Sequence, residues 1–261
     1  MSKQDSTLKT LSVALLVCLV CSVIVAGAAV TLKPIQQINK VLDKKRNILA
    51  AAGLLKPGMG IEDTFAQIDV RVIDIRTGEY VEKDVSKFDQ RKAAKDPSLN
   101  IELDRTLDTA QIKRQAKNAL VYLVKRNAAG ELDRNGELEQ VIFPVHGYGL
   151  WSTMYGFLAV KKDLNTIVGL GFYEHGETPG LGGEIDNPRW QAKWQGKYLL
   201  DGTGQVKFDI VKGAVVPGNA AEQFQVDGLS GATLTSNGVE NMILFWLGEE
   251  GFGPYISKHK A

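Results

Sequence analysis

Three glycine-rich segments hold the residues best suited to chemistry: Gly147-Tyr-Gly-Leu-Trp-Ser-Thr153, Glu174-His-Gly-Glu-Thr-Pro-Gly-Leu-Gly-Gly-Glu184 and Asp227-Gly-Leu-Ser-Gly-Ala-Thr-Leu-Thr-Ser236. Glycine lets backbone amides approach a ligand closely, and the first turn of a helix favours an anion. The third segment runs into a predicted helix and can therefore cradle a phosphate. Spacing alone favours a plainer alternative, ordinary turns followed by a helix capped by Thr235 or Ser236. Hydrolytic signatures are missing: there is no G-x-S-x-G, no H-E-x-x-H and no Walker loop. Glu174 and Glu177 flank His175 in the manner of an acid–base cluster, but with no further partner they read as loop residues. Three histidines (His146, His175, His259) and two cysteines (Cys18, Cys21) give no metal-ligand spacing. The sequence thus offers neither catalytic nor metal-binding residues of its own.

The third segment resembles the signal for covalent flavin attachment, an Asp-x-x-Ser/Thr-Gly-Ala-Thr pattern ending here at Thr233. Glu177-Thr-Pro-Gly-Leu-Gly182 resembles a loop of the same FMN-binding domain, and Gly149-Leu-Trp-Ser152 resembles a third segment of it. With the apolar N-terminal stretch and the ending Phe245-Trp-Leu-Gly-Glu-Glu-Gly-Phe-Gly-Pro254, the whole chain resembles the C-subunit family of bacterial sodium-translocating NADH:quinone reductases. That resemblance implies an electron-transfer subunit of a membrane NADH:ubiquinone reductase that pumps sodium, inactive alone and relaying single electrons through FMN. It implies a phosphoester from FMN to Thr233, made by a flavin transferase. It also implies a binding set of Asp227, Ser230, Gly231, Ala232, Leu234, Thr235, Leu150, Trp151, Ser152, Glu177, Thr178, Gly180, Leu181 and Gly182. The implied partners are the other subunits and the inner membrane, with the large domain on the periplasmic side. The G component of the Rnf electron-transport complex carries a similar motif and anchor. A membrane-tethered ligand-binding or assembly module without redox turnover is the alternative from another class.

The chemistry of the residues suits the implied task. A phosphoester needs an alcohol, and Thr233 supplies one beside two small residues, Gly231 and Ala232. The product carries a negative charge that the start of a helix favours. Asp227 reads as a recognition or metal-positioning residue during transfer. Trp151, Leu150, Leu181 and Leu234 are candidates to pack on the isoalloxazine ring, with Trp151 equally suited to a core.

Elements must position these segments. Thr10–Leu32 is a run of 23 residues without charge, enough for a helix to span about 30 Å of hydrocarbon. Ala26-Gly27-Ala28 would suit signal-peptide cleavage, but the run is long for a signal core. Cys18-x-x-Cys21 lies inside it, where small apolar packing explains both residues. Lys3 and Lys9 precede the run, while Lys33, Lys40, Lys44, Lys45 and Arg46 follow it. This charge bias, read alone, puts the large domain in the cytoplasm, opposite to the resemblance. With 44% apolar residues, 31 basic and 30 acidic, the chain is neither disordered nor basic enough for a nucleic-acid footprint.

The expected division is a tail over 1–9, a transmembrane helix over 10–32, a juxtamembrane helix and linker over 33–60, and a soluble FMN-binding region over 61–261. In the juxtamembrane part, a helix over Ile35–Leu55 stops at Gly53 or Pro57. Strands fall at Val70–Ile75, Tyr80–Val81, Val121–Val124, Val141–Val145, Phe157–Val160, Thr166–Leu170 and Val206–Val211. Lys83–Asp108 reads as a charged surface excursion. Helices are predicted at Gln111–Ala119, Asn187–Lys197 and from about Ser236 to Leu247. Clustered strands without βαβ alternation indicate an α+β fold: a single N-terminal transmembrane helix followed by an FMN-binding α+β domain.

Overall fold

The computed structural model describes residues 7–56 and 58–260. Lys3, part of the charge bias, and Pro57, a predicted helix stop, lie outside the described residues. The chain divides into two compact units, one ending at Lys44 and the other beginning at Lys45.

Helix α1 (Thr7–Ala51) holds the apolar run and continues through the stretch expected to be juxtamembrane. Its apolar side chains from Leu8 to Leu32 are exposed, and its length and composition suffice to cross a membrane. Its hydroxyls bond back onto the helix: Ser12 to Leu8 O, Ser22 to Leu19 O, both at 2.8 Å, and Thr31 to Gly27 O at 2.9 Å. Such bonds satisfy these three donors within the helix, as a hydrocarbon surround requires. Pro34 lies inside the helix, beyond the uncharged run.

The second unit starts within α1, because Ile48, Leu49 and Ala51 are buried in its core. Gly53, at φ +67°, ends the helix, and Leu54 N–H returns to Leu49 O at 2.8 Å. There follow α2 (Ile61–Ala66), β1 (Asp69–Asp74), β2 (Tyr80–Val81), α3 (Gln90–Ala93), β3 (Asn100–Glu102), β4 (Arg114–Ala116), β5 (Asn118–Arg126), β6 (Glu137–Tyr148), β7 (Thr153–Lys161) and β8 (Ile167–Glu174). Next come a 3-10 turn at Gly182–Asp186, α4 (Pro188–Ala192), β9 (Asp209–Val211), a second 3-10 turn at Glu222–Phe224, β10 (Gln225–Asp227), α5 (Thr233–Leu247) and α6 (Gly253–His259).

Strands β2-β1-β5-β6-β7-β8 form one antiparallel sheet in that order. Strand β5 shows why its sequence runs apolar without a break. Ala119, Val121 and Leu123 face the core shared with α5 and α6, while Leu120, Tyr122 and Val124 face the core shared with Ile48 and Leu49. Antiparallel strands with helices segregated from them make the fold α+β, as the patterning indicates.

Three elements differ from the sequence-based expectation. Gln111–Ala119 is not a helix: Gln111 and Lys113 have φ of 54° and 64°, and Asp108 accepts the amides of Ile112 at 2.9 Å and Lys113 at 2.7 Å. The chain then extends, with β4 paired to β3, inside the region read as an excursion. The helix at Asn187–Lys197 shrinks to α4, started by Asn187 accepting Arg189 N–H at 2.9 Å and by Pro188 in the first position. The strand at Val206–Val211 is confined to β9, which pairs in parallel with β10.

This frame gathers the glycine-rich segments. Residues 149–152 form the turn between β6 and β7, whose last pair is Tyr148 with Thr153. Strand β8 ends beside that hairpin and runs into the second segment. Helix α5 lies against β6 so closely that a Cβ on Gly147 would sit 2.7 Å from Met242 Cβ, and one on Gly238 would sit 2.6 Å from Tyr148 O. The start of α5 is thereby carried to the hairpin tip.

Candidate functional site

One carboxylate joins the three segments. Glu177 is 4% exposed. It accepts backbone N–H bonds from Leu150 at 3.1 Å, Trp151 at 3.0 Å and Ser152 at 3.3 Å, and a hydroxyl bond from Thr235 at 2.7 Å. Successive amides of a tight turn make a natural anion nest, filled here by the chain's own side chain. Burial pushes the Glu177 carboxyl up, but the Thr235 hydroxyl and the three amides outweigh it and hold it below the ordinary range.

Two glycines make room for this contact. A Cβ on Gly149 would stand 2.5 Å from Glu177 Oε1, and one on Gly182 would stand 2.4 Å from Thr235 Oγ1. Ser152 Oγ also accepts Gly176 N–H at 2.6 Å, tying the first segment to the second again. Of the residues around Glu177 that read as a loop cluster, His175 Nδ1 accepts Glu177 N–H at 3.2 Å, but the side chains of Glu174 and His175 turn to other partners. Glu174 pairs with Arg91 through bonds of 2.7 and 3.0 Å, and His175 meets Asp186 at 2.7 Å.

The third segment is a turn held at both of its ends. Leu229 N–H donates to Ser236 Oγ at 2.9 Å, and Ala232 N–H to Leu229 O at 3.2 Å. Gly231 has φ +72°, which a side chain would strain. Asp227 is turned toward α4: Lys193 Nζ lies 2.5 Å from one oxygen, and Val215 N–H donates to the other at 2.8 Å. Burial raises the Asp227 carboxyl, but Lys193 and that amide outweigh it and keep it low.

Neither Thr235 nor Ser236 caps α5. The cap position is Ala232, which has no side-chain acceptor, because Thr235 is committed to Glu177 and Ser236 to Leu229. Among the described residues, the amides of Thr233, Leu234 and Thr235 meet no protein acceptor.

The segments thus sort into a buried frame and an exposed face. Glu177, Gly182, Ala232 and Thr235 are buried in the frame. Ser230, Gly231, Thr233, Thr178 and Gly180 are exposed. So are four large apolar side chains, Trp151 at 65%, Leu234 at 60%, Leu181 at 46% and Leu150 at 41%. Leu181 leans on the third segment, its Cδ2 3.3 Å from where a Cβ on Gly231 would be. Such a face can take an anion at free amides and a flat apolar body alongside. Lys193, Gly149 and Gly238 also shape the site, and the sequence-based binding set omits them. Their partners are remote in the chain, and only the repeated glycines give a local signal.

Residues 149–248 match the model of the FMN-binding domain family. The chain is 52% identical over 262 aligned residues to the C component of the Na(+)-translocating NADH-quinone reductase of Pseudomonas aeruginosa, covering 98% of this chain and 97% of the relative. It is 49% identical to the Haemophilus ducreyi protein of the same name, covering 99% and 96%. Among solved structures it is similar to NqrC of Shewanella oneidensis, with a TM-score of 0.76 at 37% identity over 85% of this chain and 99% of that one. The corresponding reductase component from Parabacteroides distasonis gives 0.62 at 29% identity, covering 87% and 97%.

Proposed function

We propose that this chain, which belongs to the C-subunit family of Na(+)-translocating NADH-quinone reductases, serves such a membrane complex as its electron carrier, with FMN joined to Thr233. The observation that carries the proposal is the exposed Thr233 hydroxyl at the start of α5, brought beside residues 149–152 and 177–182 through one buried carboxylate. The relatives support the sodium-translocating reductase over the Rnf counterpart.

The residues fit FMN on their own chemistry. Thr233 Oγ supplies the nucleophile for attachment. It forms a P–O bond to a flavin-bearing pyrophosphate such as FAD, the pyrophosphate bond breaks, a nucleoside monophosphate leaves, and the hydroxyl proton passes to solvent. The free amides of the first turn of α5 would hold the charge of the phosphodiester. Trp151, Leu150, Leu181 and Leu234 would pack on the ring and exclude water from it, and Gly180, with open space where a Cβ would be, would let it approach the backbone. Bound flavin supplies the redox chemistry, passing electrons singly, while the protein sets orientation and electrostatics. The uncharged run of α1 has no acidic or basic side chain to line an ion path, so sodium movement falls to other subunits. The test is the intact mass of the purified chain with peptide mapping. An adduct on the peptide containing Thr233 is expected, and a chain without flavin there, made beside a working transferase, refutes it.

In the same proposal α1 is kept as an inner-membrane anchor and the large domain is periplasmic. A cysteine at Lys258, an exposed residue of α6, reports the side. Labelling by a membrane-impermeant reagent in intact spheroplasts is expected, and labelling only after lysis would reverse the orientation.

A further inference from the structure

We infer that Lys193 is a positioning residue for flavin attachment: by holding Asp227, it shapes the turn that presents Thr233, and the motif's acidic residue acts through that turn. The inference rests on Thr233 being the attachment point.

Both oxygens of Asp227 are already engaged within the chain. Oδ2 lies 2.5 Å from Lys193 Nζ, and Oδ1 accepts Val215 N–H at 2.8 Å. The backbone is held from the same side, since Trp190 Nε1 donates to Asp227 O at 2.8 Å. Trp190 and Lys193 are three residues apart, one turn on a helix surface, so α4 and its C-cap grip Asp227 at main chain and side chain together. The next residue is fixed as well. Gly228 N–H is shared between Val211 O and Gly213 O, both at 2.9 Å, and a Cβ there would be 2.5 Å from Val211 O.

From this anchored point the chain reaches Thr233 through a short turn whose other end is tied into α5 by Leu229 N–H on Ser236 Oγ. Shifting Asp227 therefore shifts the Thr233 hydroxyl. A carboxylate paired in this way is not offered outward. Among the described residues no group of three His, Cys, Asp or Glu side chains comes together as a metal site. The face left to a modifying enzyme is Ser230, Gly231, Thr233 and Leu234, all exposed. Lys193 falls outside the three glycine-rich segments, and nothing in its immediate neighbourhood marks it.

The test uses the full-length chain in detergent, a purified flavin transferase and FAD, with the initial rate of adduct formation read by intact mass. Lys193→Met is expected to slow attachment by about ten- to a hundredfold, the scale of a reacting atom displaced by about 1 Å. Lys193→Arg keeps the cation and is expected to restore most of the rate. Trp190→Phe, which removes the N–H on Asp227 O together with part of a buried ring, should slow attachment in the same sense. An ion pair with Lys193 about half exposed contributes little to global stability, so the melting temperatures of the two Lys193 variants should stay near that of the unsubstituted chain, while Trp190→Phe, which truncates a core ring, should melt lower. If Lys193→Met and Trp190→Phe are both modified at the unsubstituted rate while Asp227→Asn is not, Asp227 meets the enzyme directly and the inference fails. If the unsubstituted chain gains no adduct at Thr233, it is the attachment reading that fails.

Discussion

Thr233→Ala is expected to abolish the flavin adduct outright, giving a folded, membrane-bound chain with no fluorescent band on a denaturing gel. The loss should be complete because a methyl group offers no oxygen to phosphorus. Thr233→Ser keeps the hydroxyl and should retain some modification. Stability should hardly change: Thr233 is exposed and makes no side-chain hydrogen bond among the described residues, and exposed substitutions usually fall within about 0.5 kcal/mol. Alanine is also the better helix former at this position. Thr235 cannot readily substitute, being 0% exposed and bonded to Glu177. Ser230 is the other exposed hydroxyl of the turn, so peptide mapping must tell the two apart. Without the tether, bound FMN would depend on its free concentration, whereas the linked group stays at an effective concentration on the order of millimolar. A band of unchanged intensity in Thr233→Ala would sink the assignment.

Glu177→Ala is expected to have the largest effect on folding. It removes the acceptor of three amides and one hydroxyl in a buried site and leaves a hole between the three segments. A stranded buried donor costs about 1–3 kcal/mol, which applies in full to the Thr235 hydroxyl and less to the three part-buried amides that water can reach, so with the hole a loss of about 2–4 kcal/mol overall is expected. Glu177→Gln is the sharper variant. Its carbonyl oxygen can still accept from Trp151 and Leu150, and the Thr235 hydroxyl can rotate to accept from the new amide group. The charge assistance is lost, at about 1–2 kcal/mol. Chemical denaturation of both variants checks the order, and equal stability of Glu177→Ala and the unsubstituted chain would remove the carboxylate from its structural role.

The same site gives stability a pH dependence of known sign. The folded-state carboxyl of Glu177 is held below its ordinary value of 4.5, so its contribution is fully present above that pH. It is lost as pH falls from about 4.5 through the folded-state value, where the proton blocks one acceptor oxygen. In Glu177→Gln this part of the acid destabilisation should vanish, leaving a flatter profile below about pH 5. A profile unchanged by the substitution would assign the acid sensitivity to other carboxylates.

The chain reveals its elements to different degrees. The transmembrane run is visible because span length and absence of charge are local properties that no distant residue alters. The central strands are visible for a related reason: β5 to β8 carry apolar runs bounded by turn residues, and burial on both faces keeps those runs continuous. Gln111–Ala119 misleads because helical propensity is weak beside a carboxylate that captures two successive amides and a strand that offers pairing.

At the candidate site, the sequence by itself determined the types: a hydroxyl in a segment that resembles an attachment motif, glycines that permit close approach, and apolar side chains beside them, whose exposure only the structure decided. It could not determine the roles of Glu177, Thr235 and Asp227. Glu177 sits in a loop among other acidic residues, and its donors lie 25 to 58 residues away. Thr235 looks like a helix cap from its position but turns inward to that carboxylate. Asp227 looks free until Lys193, 34 residues earlier, is seen beside it. A hydrogen bond is decided by distance and direction between two groups, and for groups so far apart in the chain only the packing of α5 on β6 and of α4 on β10 sets either. Tertiary structure therefore decided which residues of the motif hold the turn and which it presents.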